Sequence, residues 1–329
     1  VVFSQDFSVF GGSIGRLGSA KIQRALRLAI DRGVPLIMIL DGGGHRIQDG
    51  QDARHFANAN ATFHNFARAS GWVPMVALML GAGFAGPTNY AGTADFVVMV
   101  RGLSTMGIAG PALVKAATGE DIDGMELGGA DIQVDRQGIA DLGVASEDEA
   151  LAAARRFLSY LPSNARAGQQ IVDHPRPIPP IDESLLDLVP VSTRKAYDVR
   201  KVLSLIADAG SLFELKPTFA PNMVTALARL GGRPVGFIAN QALRLGGMIN
   251  ANACDKGAHF IALCDAFGLP LVSFIDVPGF SIGSSAERTG LGRRSGLRAY
   301  TARWAASAPS SASTRNPSSL PSTPTMTSV

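Results

Sequence analysis

Gly33-Val34-Pro35-Leu36-Ile37-Met38-Ile39-Leu40-Asp41-Gly42-Gly43-Gly44 returns 235 positions later as Gly268-Leu269-Pro270-Leu271-Val272-Ser273-Phe274-Ile275-Asp276-Val277-Pro278-Gly279. Both copies read as a helix-ending glycine, a proline, an apolar run, then an aspartate and a glycine-containing turn. An apolar run bounded by such signals is the pattern of a strand buried on both faces. Glycines just past its C-terminal end let a backbone approach a ligand closely.

The register extends upstream without a gap. Between 1–44 and 236–279 ten positions agree: Gly11, Gly12, Ile14, Lys21, Leu28, Gly33, Pro35, Leu36, Asp41 and Gly44. Most are glycines, the proline and the aspartate rather than interchangeable core residues. The chain is therefore predicted to hold two copies of one fold.

Length and composition fit this. At 329 residues, with 46% apolar and 17% charged residues, the chain suits a two-lobed α/β protein. No run of 18 apolar residues predicts a membrane helix, and no charged-then-apolar leader predicts export, so a cytoplasmic location is expected. Cys254 and Cys264 form neither a CxxC pair nor a zinc spacing and read as buried thiols. His45, His55, His64, His174 and His259 have no i, i+4 partners, so no metal site is expected. The net charge of +3 belongs to the end of the chain, where six arginines and no acid follow Glu287; residues 1–287 carry −3. That distribution argues against nucleic acid as a partner.

In order, Val1 to Val9 reads as a strand, Phe10-Gly11-Gly12-Ser13 as a turn, and Ser19 as the cap of a helix with an Ile22, Ala25, Leu26, Ala29, Ile30 stripe. After the first buried strand, Phe56, Ala59, Phe63, Phe66 and Ala67 mark a second helix. Met75 to Leu80 is another buried strand, and Gly81-Ala82-Gly83-Phe84-Ala85-Gly86 a second glycine-rich exit that opens a helix. Asp95 to Val100 reads as a strand, and Leu151, Ala154, Leu158 and Leu161 as a helix face. Such alternation calls for parallel strands with helical crossovers. Val199, Val202, Leu203 and Ile206 then mark a helix, and Val224 to Leu230, Gly231-Gly232 and Pro234 to Ala239 a hairpin.

The expected organisation is an N-terminal lobe over 1–172, a proline-rich linker over 173–190, a partial C-terminal lobe over 191–296, and a Ser/Ala/Pro/Thr-rich tail over 297–329. The tail begins where the repeat calls for another helix and core strand, so a truncation or a shifted reading frame is expected there; a natural disordered tail is the alternative.

Glycine-rich exits that open helices present backbone N–H groups to negative charge, which suits an oxyanion such as a thioester enolate. No GxxxxGK[ST], dinucleotide GxGxxG or GxSxG pattern is present. His45 reads as a solvated or backbone-bonded residue, and Arg46 as a place where an anionic ligand could be met.

Val2-Phe3-Ser4-Gln5-Asp6-Phe7-Ser8-Val9-Phe10-Gly11-Gly12-Ser13 resembles the signature of biotin-dependent acyl-CoA carboxylase carboxyltransferase (β) subunits, the propionyl-CoA and methylmalonyl-CoA type. The glycine turn over 41–50, Gly110-Pro111 with Val114-Lys115, Glu126-Leu127-Gly128-Gly129-Ala130 and Lys195-Ala196-Tyr197-Asp198 are similar as well. So are 236–241, Lys256-Gly257-Ala258, Cys264-Asp265-Ala266-Phe267 and 276–280. The resemblance implies a crotonase-like (ClpP/crotonase) ββα spiral in two tandem homologous lobes, the second incomplete. It implies transfer of a carboxyl group from carboxybiotin to the α-carbon of a short-chain acyl-CoA such as propionyl-CoA. It places an oxyanion hole on Ala85 and Gly86, where the family has Gly-Gly, and the acyl-CoA turn on Gly43, Gly44 and Arg46. The biotin side falls on Pro278, Gly279 and Phe280. Gly42 and His45 depart from the family's Ser and Ala. The family's second oxyanion hole has no counterpart in this sequence, and about a hundred residues that precede Val1 in the family are missing too, so impaired activity is expected. None of the six lysines follows a methionine, so biotin is expected on a partner, a biotin carboxylase/biotin carboxyl carrier subunit, with a homo-hexamer as the family's assembly and no metal in this chain. Two other readings stay open: a biotin-dependent acyl-CoA decarboxylase subunit, and a non-catalytic acyl-CoA-binding remnant.

Overall fold

The computed structural model describes residues 1–46, 53–173, 184–192 and 195–296, without the side chains of 53–60. The expectations for 47–50, for Phe56 and Ala59, for the proline-rich stretch from His174 to 183 and for the tail 297–329 lie outside those residues.

The first lobe contributes β1 (Val2–Ser4), β2 (Leu36–Leu40), β3 (Met75–Met79), β4 (Ala82–Phe84), β5 (Phe96–Val100), β6 (Thr105–Gly107) and β7 (Leu142–Val144). β1, β2, β3, β5 and β7 form one parallel sheet in that order, and β4 pairs with β6 in a separate two-stranded parallel sheet. Its helices are α1 (Arg16–Arg32), α2 (Ala53–Ala69), α3 (Gly86–Ala91), α4 (Pro111–Thr118), α5 (Gly124–Gly128) and α6 (Glu147–Ser159). The two-faced burial read from the apolar runs holds in the first lobe, where every residue of β3 and β5 is buried, but not in the repeat's second copy: Leu271–Phe274 lie at a sheet edge and are half-buried or exposed, and Ile275 is 80% exposed. In β3, Met75, Ala77 and Met79 pack with Leu26 and Phe66, while Val76 and Leu78 face the opposite way, with Phe157. Alternation with period two, with both faces apolar, is what a central parallel strand requires.

The second lobe opens with α7 (Ser184–Leu188) and α8 (Val199–Ile206), then β8 (Phe213–Leu215), β9 (Met223–Leu230), β10 (Arg233–Asn240), α9 (Ala251–Ala266) and β11 (Leu271–Phe274). Its sheet runs β11-β10-β9-β8, with β10 and β11 parallel and the rest antiparallel. The hairpin turns at Gly231 (φ 57°) and Gly232 (φ 77°), both left-handed, as a tight two-residue turn demands.

The repeat appears at the level of single backbone bonds. Phe10–Gly12 and Leu245–Gly247 are matching 3-10 turns, and Phe10 (φ 53°) and Leu245 (φ 50°) share a left-handed conformation unusual for such residues. Helix α1 corresponds to α9 and β2 to β11. The bridge Ile14–His45 recurs as Ile249–Phe280, again 235 positions on. Gly12 and Gly247 sit against the carbonyls of Asp41 and Asp276, where a Cβ would fall 2.3 and 2.7 Å from the oxygens. That contact explains why these glycines recur.

The two lobes share one core. Phe96 stacks on Phe157 at 4.4 Å between centroids and meets Phe213 of the second lobe at 5.8 Å, within a cluster that also holds Met223, Phe260 and Leu263. A buried polar seam runs beside it: Lys216 Nζ pairs with Asp141 Oδ1 at 3.0 Å, and Lys256 Nζ donates to the carbonyls of Lys216, Phe219 and Met223 at 2.7–2.9 Å.

Four local readings need correction. β1 ends at Ser4, because Asp6 Oδ1 accepts from the amide and hydroxyl of Ser8 and turns the chain. Ser19 is no cap: α1 begins at Arg16 behind Gly15, and Ser19 is buried within it. Ala82–Phe84, read only as an exit, is a short strand. Within the span read as a linker, Ser184–Leu188 is a short helix.

Candidate active site

Two strand exits meet in the first lobe. The turn after β2 is pinned from below: Gly43 N–H donates to Gly11 O at 3.0 Å, Ile14 N–H to Gly44 O at 2.9 Å, and Arg46 N–H to Ile14 O at 3.2 Å. Gly12 and Gly42 lie back to back, with no room for a Cβ on either. The Asp41 carboxylate packs against Gly81, where a Cβ would lie 2.0 Å from Oδ1. Burial raises the Asp41 pKa, a hydrogen bond from the Ala82 amide opposes that, and the charge of Asp6 adds to it. The Arg46 guanidinium lies 4.4 Å from the centre of the Phe10 ring, which is 75% exposed, so the cation is presented at the surface on an aromatic platform.

The second exit delivers the start of α3 to the same place. Ala85 takes φ 62°, ψ −113°, a conformation that glycine adopts readily and alanine does not. Holding an L-residue there costs about 1–3 kcal/mol. Its Cβ crowds Gly44, where an added Cβ would lie 2.7 Å away. A Cβ on Gly86 would meet Ile14 Cδ1 at 2.9 Å and His45 Nδ1 at 3.9 Å. Gly43, Gly44, Arg46, Ala85 and Gly86 are therefore gathered into one site.

The donors are not as the sequence suggested. Ala85 N–H donates to Gly107 O at 2.7 Å, so it is spent within the fold. Gly86 N–H, at the first position of α3, has no acceptor within its helix. Pro87 brings no N–H, and Asn89 N–H is satisfied by Ala85 O at 3.1 Å. Of the two, Gly86 is the one whose N–H is left over, and its nitrogen would lie 3.7 Å from a Cβ built on Gly44.

Pro278, Gly279 and Phe280 stand apart from these five, on the equivalent turn of the second lobe. Ile249 N–H donates to Gly279 O at 3.0 Å and Ser281 N–H to Ile249 O at 2.9 Å, repeating the pattern around Ile14. Gly279 has φ 139° and no atom within 4 Å of where a Cβ would lie. Phe280 is about half exposed.

Sequence reasoning missed Thr88 and Gly107, which lock the Ala85 turn from 19 residues apart: Gly107 N–H donates to Thr88 Oγ1 at 2.8 Å. A threonine inside a helix start carries no signal of such a role.

Residues 1–297 match the family described as the carboxyl transferase domain. The chain belongs to that family. This carboxyl transferase domain is 38% identical over 298 residues to the methylmalonyl-CoA decarboxylase subunit alpha of Veillonella parvula, covering 91% of this chain and 58% of that protein. It is 39% identical over 293 residues to the propionyl-CoA carboxylase beta chain of Roseobacter denitrificans, covering 88% and 56%. Among solved structures it matches a transcarboxylase 12S subunit, described as a hexamer with hydrolysed methylmalonyl-coenzyme A bound, at TM-score 0.86 and 36% identity over 91% of this chain and 59% of that one. The match confirms the crotonase-like fold. The chain spans a little over half the length of these relatives.

Proposed function

We propose that this chain is a carboxyltransferase subunit that moves a carboxyl group from carboxybiotin to the α-carbon of a short-chain acyl-CoA such as propionyl-CoA. The observation that carries the reading is the meeting of the two glycine exits, which brings the Gly86 nitrogen beside Gly44. A thioester oxygen held there receives a fixed donor at the helix start, which stabilises the enolate once the α-proton leaves. Gly43, where a Cβ would meet only Gly11 O at 3.8 Å, leaves space for the acyl chain's approach, Gly44 lets the Ala85 turn come close, and Arg46 on Phe10 meets a phosphate of CoA.

Biotin carried on a partner subunit would supply the carboxyl group and the proton acceptor. With no atom within 4 Å of where a Cβ of Gly279 would lie, the second-lobe turn is open to such a group. Pro278, Gly279 and Phe280 would line it. The likeness to a hexameric transcarboxylase supports assembly with further copies, and the two buried thiols, Cys254 and Cys264, support a cytoplasmic setting. The likeness to a methylmalonyl-CoA decarboxylase subunit favours a second reading, the same chemistry run from the carboxylated acyl-CoA back to biotin.

Incubation with methylmalonyl-CoA and biocytin tests both. Biocytin-dependent formation of propionyl-CoA is expected, lost in Gly86→Pro, which deletes the donor. Saturable propionyl-CoA binding with no biocytin-dependent turnover would instead identify a non-catalytic acyl-CoA-binding protein.

A further inference from the structure

Thr88 is buried at the third position of α3, and its hydroxyl stands where β4 and β6 face each other. Gly107 N–H donates to Thr88 Oγ1 at 2.8 Å, and Thr88 Oγ1 in turn donates to Gly83 O. The carbonyl of the same Gly107 accepts the Ala85 N–H at 2.7 Å. Gly107 is thus held at both its polar atoms, one by Thr88 and one by Ala85. The Ala85 carbonyl is held as well, by Asn89 N–H at 3.1 Å. The Ala85 conformation, unfavourable for alanine, is therefore fastened on both sides, and it sets the direction of the next amide, Gly86 N–H.

We propose that Thr88 is a positioning residue for the oxyanion donor: its hydroxyl, set between Gly83 and Gly107, holds β6 against the Ala85 turn and so aims Gly86 N–H at the thioester oxygen. The inference rests on the proposed carboxyltransferase reading and adds a residue to it. Thr88 does not touch the reacting atoms. A hydroxyl that only satisfied buried backbone would stabilise the fold without affecting the donor's aim.

The test uses the full chain with bound propionyl-CoA labelled with 13C at the thioester carbonyl, read by isotope-edited infrared spectroscopy beside turnover. The wild-type carbonyl band is expected to move to lower frequency on binding. In Thr88→Val, which keeps the shape and removes the hydroxyl, most of that shift is lost. Turnover falls by about tenfold to a hundredfold, short of deleting a donor outright, while KM stays within about twofold. Thr88→Ser keeps the hydroxyl and retains the wild-type shift. A folded Thr88→Val with the full wild-type shift overturns the inference, as does loss of the shift in Thr88→Ser, a measurement that stands even where the valine variant fails to fold. A wild-type chain whose bound thioester shows no shift overturns the reading of the site itself, and the inference with it.

Discussion

Lys216 Nζ lies 3.0 Å from Asp141 Oδ1 with both side chains almost wholly buried, at 6% and 2% exposure. The pair joins the two lobes, and each partner is further tied to backbone: Asp141 Oδ2 accepts from Val97 N–H at 2.8 Å, and Lys216 Nζ donates to Gly138 O at 2.7 Å. Removing one partner strands a buried charge, which typically costs about 3–5 kcal/mol. Asp141→Asn and Lys216→Met are each expected to lower stability by that order in urea unfolding, with a double variant costing much less than the sum. Additive losses would show that the pair is not coupled.

Lys256 is 1% exposed, and its three bonds to carbonyls join α9 to the stretch after β8 and to the first residue of β9. Burial pushes its pKa down to about 7. Lys256→Met leaves three buried carbonyls without their donor, at about 1–3 kcal/mol for each group left unsatisfied. A loss of at least about 3 kcal/mol is expected, larger than that of Lys21→Met at the equivalent position of α1, which faces solvent. Equal losses in the two variants would contradict the burial argument.

Asp95 makes the fold sensitive to pH. Burial raises its pKa to about 7, a bond from the Met75 amide opposes the rise, and nearby Asp141 adds to it. A carboxyl whose folded pKa lies above the unfolded value stabilises the fold below the unfolded pKa, and this contribution is lost as pH rises through the folded one. The wild type is thus expected to lose stability relative to Asp95→Asn between about pH 4 and pH 7. Melting curves across that range check this; parallel profiles for the two proteins would contradict it.

Gly12 and Gly11 are neighbours with different constraints. Both have left-handed φ, near 63–64°, but a Cβ on Gly12 meets Asp41 O at 2.3 Å and one on Gly11 meets nothing within 4 Å. Gly11→Ala is expected to cost about 1 kcal/mol and Gly12→Ala more than about 3 kcal/mol, since backbone cannot give way. Similar unfolding midpoints for the two variants would show that the close approach is not what selects glycine there.

Ala85→Gly removes the mismatch between residue and conformation at the site. A gain of about 1 kcal/mol in stability is expected, with the Gly86 donor kept in place by the Thr88–Gly107 lock. Destabilisation on this change would show that Ala85 packing against Gly44 outweighs the strain.

The repeat, the doubly buried strands of the first lobe, the Gly231–Gly232 hairpin and the glycine turns were all legible in the sequence by itself. These features follow from short-range rules: periodicity, the freedom of glycine at positive φ, and side chains too apolar to face water. The pairing of Ile14 with His45, repeated at Ile249 and Phe280, gives the 235-residue register its structural meaning. What only the tertiary structure decided is which polar atoms are spent and which are free. Ala85 and Gly86 look alike as donors along the chain, yet Gly107, 22 residues beyond Ala85, takes the Ala85 N–H, while that of Gly86 has no acceptor within its helix. Lys256 resembles a surface lysine until the carbonyls of 216, 219 and 223 close around it. A hydrogen bond has one donor and a fixed direction, so its partner is chosen by three-dimensional proximity, which local patterns of residue type do not encode.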